Sequence, residues 1–402
     1  MKGADNRITV GDHGTTWVEL CADSTHWPGT GPIAVLADGH LDAVNTVAQH
    51  LAYGREILIA SASRVDAEER AVLTAAGYAL RIAGATTEPD GPAAADLGRV
   101  WILTSGTTGR PKRVQHTLRS LATVAGEQPE RTWLCPYSPG TYAWWQLISL
   151  SLNVPGQHLV TVEPDALDEW PERAERHGVT AVSGTPTFWR QSLFRSGDVL
   201  GRLPLQQITL GGEPVDQSIL DRLRLAYPSA RISWIYASSE VGSAIAVHDG
   251  RAGFPREWLD RAAPDRPRLW VDQDELVIAS PHAAAGHGGP VRTGDRVEID
   301  GDRVLITGRL DGDEINVGGT KVSAGMVRNV LLGHDQIQWV RVTGRRAPLV
   351  GRIVTADIVA DRGLTEADVL AWAGPRLSEY AMPRQIRLLA GIPMKETLKS
   401  DA

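Results

Sequence analysis

The sequence predicts an α/β protein: a large N-terminal α/β domain with mainly parallel sheets plus an antiparallel section, and a small C-terminal α+β domain on a hinge. Three observations predict it. Short apolar runs alternate with helix-period segments as far as residue 236. From about residue 268 the pattern changes to short alternating strands with Gly/Asp turns. Beyond Arg309–Gly312 a further set of helix and strand signals reads as a separate unit. The chain has 402 residues, 42% hydrophobic and 22% charged, which suits a large buried core and argues against disorder.

In chain order, IAVLA (33–37) is a buried strand. Leu41, Val44, Val47, Ala48 and Leu51 come next at helical spacing, and Gly54 stops that helix. ILIA (57–60) is the next strand, and residues 65–76 are helical up to Gly77. Residues 84–98 form a polar Gly/Pro loop, and 100–103 a buried strand. Residues 208–210 and 232–236 read as strands flanking a helix over 214–226, with Pro214 where a missing N–H costs little. ELVIAS, RVEID and GDRVLITGR are antiparallel strands. In the last unit, Ser323 caps a helix carrying Met326, Val327, Val330 and Leu331. Strands come next over 337–342 and 350–359, and Thr365–Asp368 is a capping box before a second helix. The expected division is therefore 1–310 and 311–402.

The formal net charge is −7 and no long basic run offsets it, so a nucleic-acid or anionic-membrane surface is disfavoured. Cys21 and Cys135 cannot build a disulfide framework and lack metal spacing. The N-terminus has no signal-like apolar stretch, and no run approaches the ~20 apolar residues of a membrane span. A cytoplasmic protein is expected; the oligomeric state is open. Only five of the 41 basic residues are lysine, at positions 2, 112, 321, 395 and 399. A retained lysine suggests a place for a compact ammonium rather than a planar guanidinium.

The strongest motif is Thr104-Ser105-Gly106-Thr107-Thr108-Gly109-Arg110-Pro111-Lys112, directly after a strand. Glycines let backbone N–H groups turn toward an anion, hydroxyls add donors, and the lysine adds a point charge for phosphate. The spacing is not that of a Walker loop, because Pro precedes the lysine. A polar surface turn is the plainer alternative for such a string.

This string resembles the phosphate loop of the adenylate-forming superfamily: acyl-CoA synthetases, peptide-synthetase adenylation domains and luciferases. Further motifs resemble the family in order from about residue 100 to the end, whereas the segment before residue 104 is shorter than in most relatives. They are Gly211-Gly212-Glu213-Pro214, Tyr236-Ala237-Ser238-Ser239-Glu240, Thr293-Gly294-Asp295, Gly308-Arg309-Leu310-Asp311, Val317-Gly318-Gly319-Thr320-Lys321-Val322 and the final PMKETLK, with Leu398 where glycine is usual.

The resemblance implies roles. Residues 104–112 would hold the ATP phosphates, with Gly212, Glu213 and Pro214 on the adenine side. Tyr236 would lie against adenine, Asp295 would accept the ribose hydroxyls, and Arg309 would support ribose or phosphate. Ser239 would contact the α-phosphate, and Glu240 would ligate Mg²⁺, a hard cation suited to carboxylate oxygen. Lys399 would stabilise the transition state, with Lys395 as its competitor. Asp311 would be the hinge, and Gly318 and Gly319 would let a pantetheine thiol approach, with two plain turn glycines as the alternative. The acyl pocket would include Tyr137, Trp144, Phe188, Trp189, Gly211 and Ala237, although such aromatic clusters are more often core. Ser138 stands where the family usually has histidine. His116, His248 and His282 show no metal spacing.

The expected function is ATP-dependent adenylation of a small or aromatic carboxylic acid and transfer of the acyl group to a thiol, with CoA the first choice of co-substrate. A discrete carrier protein or an amine is the alternative acceptor. A nucleotide-binding interaction protein that has lost catalysis is the alternative of another class.

Overall fold

The computed structural model describes residues 1–24, 27, 29, 31–89, 95–104, 111–124, 126–261, 266–310, 314–347 and 351–400. Ser105, Gly106, Thr107, Thr108, Gly109 and Asp311 lie outside the described residues.

Three sheets build the large lobe. The first has six strands in the order Ala85–Thr87, Ala79–Ile82, Ile33–Ala37, Ile57–Ser61, Arg99–Thr104 and Lys112–Thr117. Its inner four pair in parallel and its two edge strands are antiparallel. Ile33–Ala37 and Ile57–Ser61 are buried along their whole length, as parallel strands covered on both faces must be. The helix His40–Tyr53 ends at Gly54 in the left-handed region, φ 69°, as the sequence predicts.

The second sheet has eight strands. From one edge they are Gly242–Val247, Arg231–Ser238, Gln207–Gly211, Ala181–Gly184, Arg131–Cys135, Gln157–Thr161, Arg7–Val10 and His13–Thr16. The six inner strands are parallel. The helix expected over 214–226 begins later, at Gln217–Ala226, because Asp216 caps it by accepting from the Ile219 N–H. Pro214 therefore lies in the preceding loop. The third sheet, five strands from Phe254–Pro255 to Arg303–Arg309, is wholly antiparallel.

A fourth sheet holds Glu314–Val317, Thr320–Ser323, Ile337–Ala347, Gly351–Ala360 and Gln385–Leu388. With the helices Ala324–Leu332 and Glu366–Ala373 it encloses its own core around Val327, Leu331, Val354 and Ile358. Ser323 and Thr365 cap those helices as predicted. The last stretch of chain leaves this unit. Leu398 is buried in the core of the large lobe, with Met394 packed against the same core.

Candidate active site

Parallel strands bring their carboxyl ends to one edge, where loops can present groups to a ligand. Here that edge opens on a cleft of about 1690 Å³ between the two lobes. Its walls include Thr104, Lys112, Glu240, Asp295, Arg309 and Lys399, which come from five separate motifs of the sequence. Thr104 and Lys112 pair across an antiparallel ladder, so the phosphate-loop string leaves and re-enters the sheet at one point on the cleft wall.

One end of the cleft is set by strand register. Asp295 and Arg309 are paired positions on neighbouring strands. Arg309 Nη1 lies 2.9 Å from Asp295 Oδ1 and 2.9 Å from the Thr293 carbonyl. The Tyr236 hydroxyl donates to Asp295 Oδ2, and burial together with that carboxylate pushes the phenol pKa up, so Tyr236 stays protonated. Each Asp295 oxygen retains a second lone pair with which to accept from a ligand hydroxyl. Ser239 is buried, and its carbonyl accepts from His116 Nε2 at 2.7 Å. His116 thus fixes the Ser239-Glu240 turn, a task its sequence context did not suggest. Glu240 lines the cleft, and no group of three or more metal-ligating side chains occurs among the described residues.

The other end is set by the C-terminal tail. Leu398 N–H donates to the Lys395 carbonyl at 2.8 Å, Lys395 N–H to the Lys399 carbonyl at 2.8 Å, and Met394 bridges Ser400. This is a tight hairpin whose turn needs one left-handed residue, and Leu398 supplies it at φ 62°. The usual preference for glycine at that point is thereby explained. Leucine accepts the left-handed cost of roughly 1–2 kcal/mol because its side chain is buried in the large lobe. Large-lobe groups hold the hairpin. The Thr185 hydroxyl donates to the Leu398 carbonyl, Ser138 Oγ to the Glu396 carbonyl at 3.0 Å, and Ser63 Oγ to Glu396 Oε2 at 2.6 Å. Glu213 Oε1 accepts from Ser400 N–H at 2.9 Å.

These contacts aim Lys399, rather than Lys395, into the cleft. A Cβ on Gly212 would lie 3.3 Å from Lys399 Cε, and Gly212 has φ +81°. Glycine is needed there for its backbone angle and for the lysine stem to pass. Lys399 is reached by solvent within the cleft, yet desolvation by the surrounding walls lowers its pKa, partly offset by Glu213.

Several sequence expectations are redistributed. Tyr137, Gly211 and Ala237 line the cleft. Trp144, Phe188 and Trp189 do not; all three are essentially inaccessible. Trp144 packs edge-on against Trp145 and donates through Nε1 to His40 Nδ1 at 3.2 Å. Phe188 and Trp189 pack against Trp170. Helical periodicity turns these rings into the core and leaves Tyr142 and Leu147, on the helix that carries Trp144, on the cleft side. Gly212, Glu213 and Pro214 all line the cleft, and the Glu213 carboxylate accepts from Thr187 and Ser400. Gly318 and Gly319 form an exposed hairpin turn at φ 58° and 91°, outside the cleft lining, and no atom of the described residues comes within 4 Å of where their Cβ would be.

The comparisons with known proteins agree with this geometry. The model of the AMP-binding enzyme family matches residues 32–270, and that of the AMP-binding enzyme C-terminal domain matches 327–399. The chain is 24% identical over 350 residues to a dimodular nonribosomal peptide synthase of Bacillus subtilis, covering 75% of this chain and 14% of that protein's length. It is 26% identical over 373 residues to a feruloyl-CoA synthase of Amycolatopsis, covering 81% of this chain and 74% of that one. Among solved structures, the amide bond synthetase McbA from Marinactinospora thermotolerans superposes with a TM-score of 0.74 at 22% identity, covering 100% of this chain and 96% of that one. The chain belongs to the AMP-binding enzyme family, the acyl-adenylating, AMP-forming ligases.

Proposed function

We propose that this protein joins a small or aromatic carboxylic acid to AMP and then passes the acyl group to a thiol, first of all that of CoA. The observation that carries this reading is the Lys399 ammonium, held in the same cleft as Glu240, Asp295, Arg309 and Lys112. The donor set fits a nucleoside triphosphate. Cations and a threonine hydroxyl suit the phosphates, and Asp295 suits ribose hydroxyls. A cleft carboxylate, Glu240, suits Mg²⁺, which takes few protein ligands beside phosphate oxygens. Bound there, Mg²⁺ would neutralise phosphate charge.

The chain's own residues would divide the work. Tyr137, Gly211 and Ala237 border the space for the acid. As the acid's carboxylate attacks the α-phosphate, negative charge grows on that phosphate and on the departing pyrophosphate. Lys399 meets that charge, an electrostatic contribution on the order of 10²–10³ in rate. For transfer, the division at residues 310 and 311 would let the small domain turn about Asp311 and bring the Gly318-Gly319 turn to the acceptor.

An amine acceptor is the second reading. Its support is the fold shared with an amide bond synthetase, and a Gly318-Gly319 turn that stands outside the cleft in this arrangement. Acid-dependent ATP–pyrophosphate exchange without acceptor tests the first step. Product mass with CoA, a carrier protein or an amine tests the second. If no acid in a broad panel supports exchange, adenylation is the wrong reaction and a nucleotide-binding role replaces it.

A further inference from the structure

We propose that Arg64, in the part of the chain before the phosphate-loop motif, is a pyrophosphate-binding residue that completes the cationic wall around the leaving group. Ile57–Ser61 and Arg99–Thr104 are parallel neighbours, with Ile57 level with Val100 and Leu58 with Trp101. The same register carried along both strands brings Ser61 level with Thr104. The chain leaving Ser61 therefore emerges beside the chain leaving Thr104, at the carboxyl edge where ligands bind. Arg64 ends the short 3₁₀ turn Ala62–Arg64 after the first of these strands. Its Nη2 lies 3.5 Å from the Leu103 carbonyl, one residue before the motif begins.

Two features distinguish Arg64 from a structural arginine. It lines the cleft with Thr104, Lys112 and Lys399. Its Nη1 is shut off from bulk solvent and has no hydrogen-bond partner among the described residues. A buried guanidinium nitrogen without an acceptor is costly, so a turn of the side chain that presents it to an anion in the cleft would be favourable. Guanidinium is suited to phosphate oxygens by its planar fork. A rival acceptor is Glu396, whose Oε1 is also buried and without a partner among the described residues while Oε2 is held by Ser63. Glu396 and Arg64 attract each other, no ion pair joins them among the described residues, and Arg64 is desolvated. Arg64 therefore faces the tail hairpin and the phosphate edge together, and Lys399 and Arg64 repel each other across that space. A pyrophosphate between them would relieve the repulsion.

The test is binding of Mg·pyrophosphate, without ATP or acid, by titration calorimetry. Arg64→Gln should weaken it about tenfold or more, the scale of one charge-assisted hydrogen bond. Arg64→Lys should lose less, and Glu396→Gln, which keeps an acceptor for Ser63, should lose less than Arg64→Gln. In the exchange assay Arg64→Gln should raise the KM for pyrophosphate and leave that for the acid alone. Binding within twofold of wild type in Arg64→Gln overturns the proposal. So does an equal loss in Glu396→Gln, which would make Arg64 an anchor for the tail. If Arg64→Gln does not fold, the wild type carries the test: Mg·pyrophosphate should protect Arg64 from labelling by phenylglyoxal, and undiminished labelling, or none at all, overturns the assignment. The place of Arg64 in catalysis rests on the adenylation reading, but its binding does not. Arg64-dependent pyrophosphate binding without exchange on any acid would sink that reading and leave this one standing.

Discussion

Asp295 and Lys399 face one cleft from opposite kinds of backbone. Asp295 stands on a strand in the ladder opposite Arg309, 14% exposed at its side chain, with Tyr236 and Arg309 on its two oxygens. Lys399 stands on an irregular hairpin at the far end of the chain, held by Ser63, Ser138, Thr185 and Glu213. Pulling Asp295 out of place requires breaking a sheet, whereas withdrawing Lys399 requires only a few side-chain bonds and one buried leucine. A group that binds throughout the cycle suits the first arrangement, and one needed for a single half-reaction suits the second.

The comparison is broken most severely by Lys399→Ala. Adenylation should fall about 10²–10³-fold with ATP affinity within a few-fold of wild type, read by single-turnover pyrophosphate release and equilibrium ATP binding. The lowered Lys399 pKa sharpens this. The ammonium is lost as pH rises, so adenylation should decline through a value below the ordinary lysine value of about 10.4. Lys399→Arg should remove that decline. Asp295→Asn tests the other end and should raise the KM for ATP roughly tenfold while sparing the rate at saturation. If it depresses both half-reactions at saturating ATP, Asp295 is doing more than holding nucleotide.

Glu213→Gln comes next. It loosens the hold on Ser400 and should slow adenylation roughly five- to tenfold. Acyl transfer from preformed adenylate should be unchanged, and equal slowing of both steps would count against a withdrawable tail. The smallest effect belongs to Leu398→Gly. Removing left-handed strain recovers roughly 1–2 kcal/mol, while losing the buried side chain costs about 2–3 kcal/mol. The net change should slow adenylation by less than about tenfold. A faster enzyme would mean that strain, not burial, dominates at that turn.

Much of the candidate site was legible, as residues that share one cleft, because its motifs are short and local. A Gly/Ser/Thr string between strands, Thr293-Gly294-Asp295 and a terminal lysine each announce their chemistry within a few residues. The cap residues Ser323 and Thr365 and the stop at Gly54 were legible for the same reason. The aromatic pocket was not legible at Trp144, Phe188 and Trp189, because composition names an aromatic without saying which helix face meets the sheet. Glu213 sits in a nucleotide-side motif, yet its carboxylate caps Thr187 and grips Ser400, a partner nearly two hundred residues away. Arg64 lies in a stretch without motif resemblance, and nothing near it in sequence mentions phosphate.

The sequence by itself determined the alternation of strands and helices, the change to an antiparallel section, and the residue types that its short motifs bring to the cleft. Those depend on local periodicity, turn chemistry and short spacings. Only the tertiary structure decided which lysine enters the cleft, which aromatics are core, and that a left-handed leucine can stand at the final turn. Each of these is a contact between residues distant along the chain, set by strand register and by which surface a side chain is buried against, and local sequence carries neither.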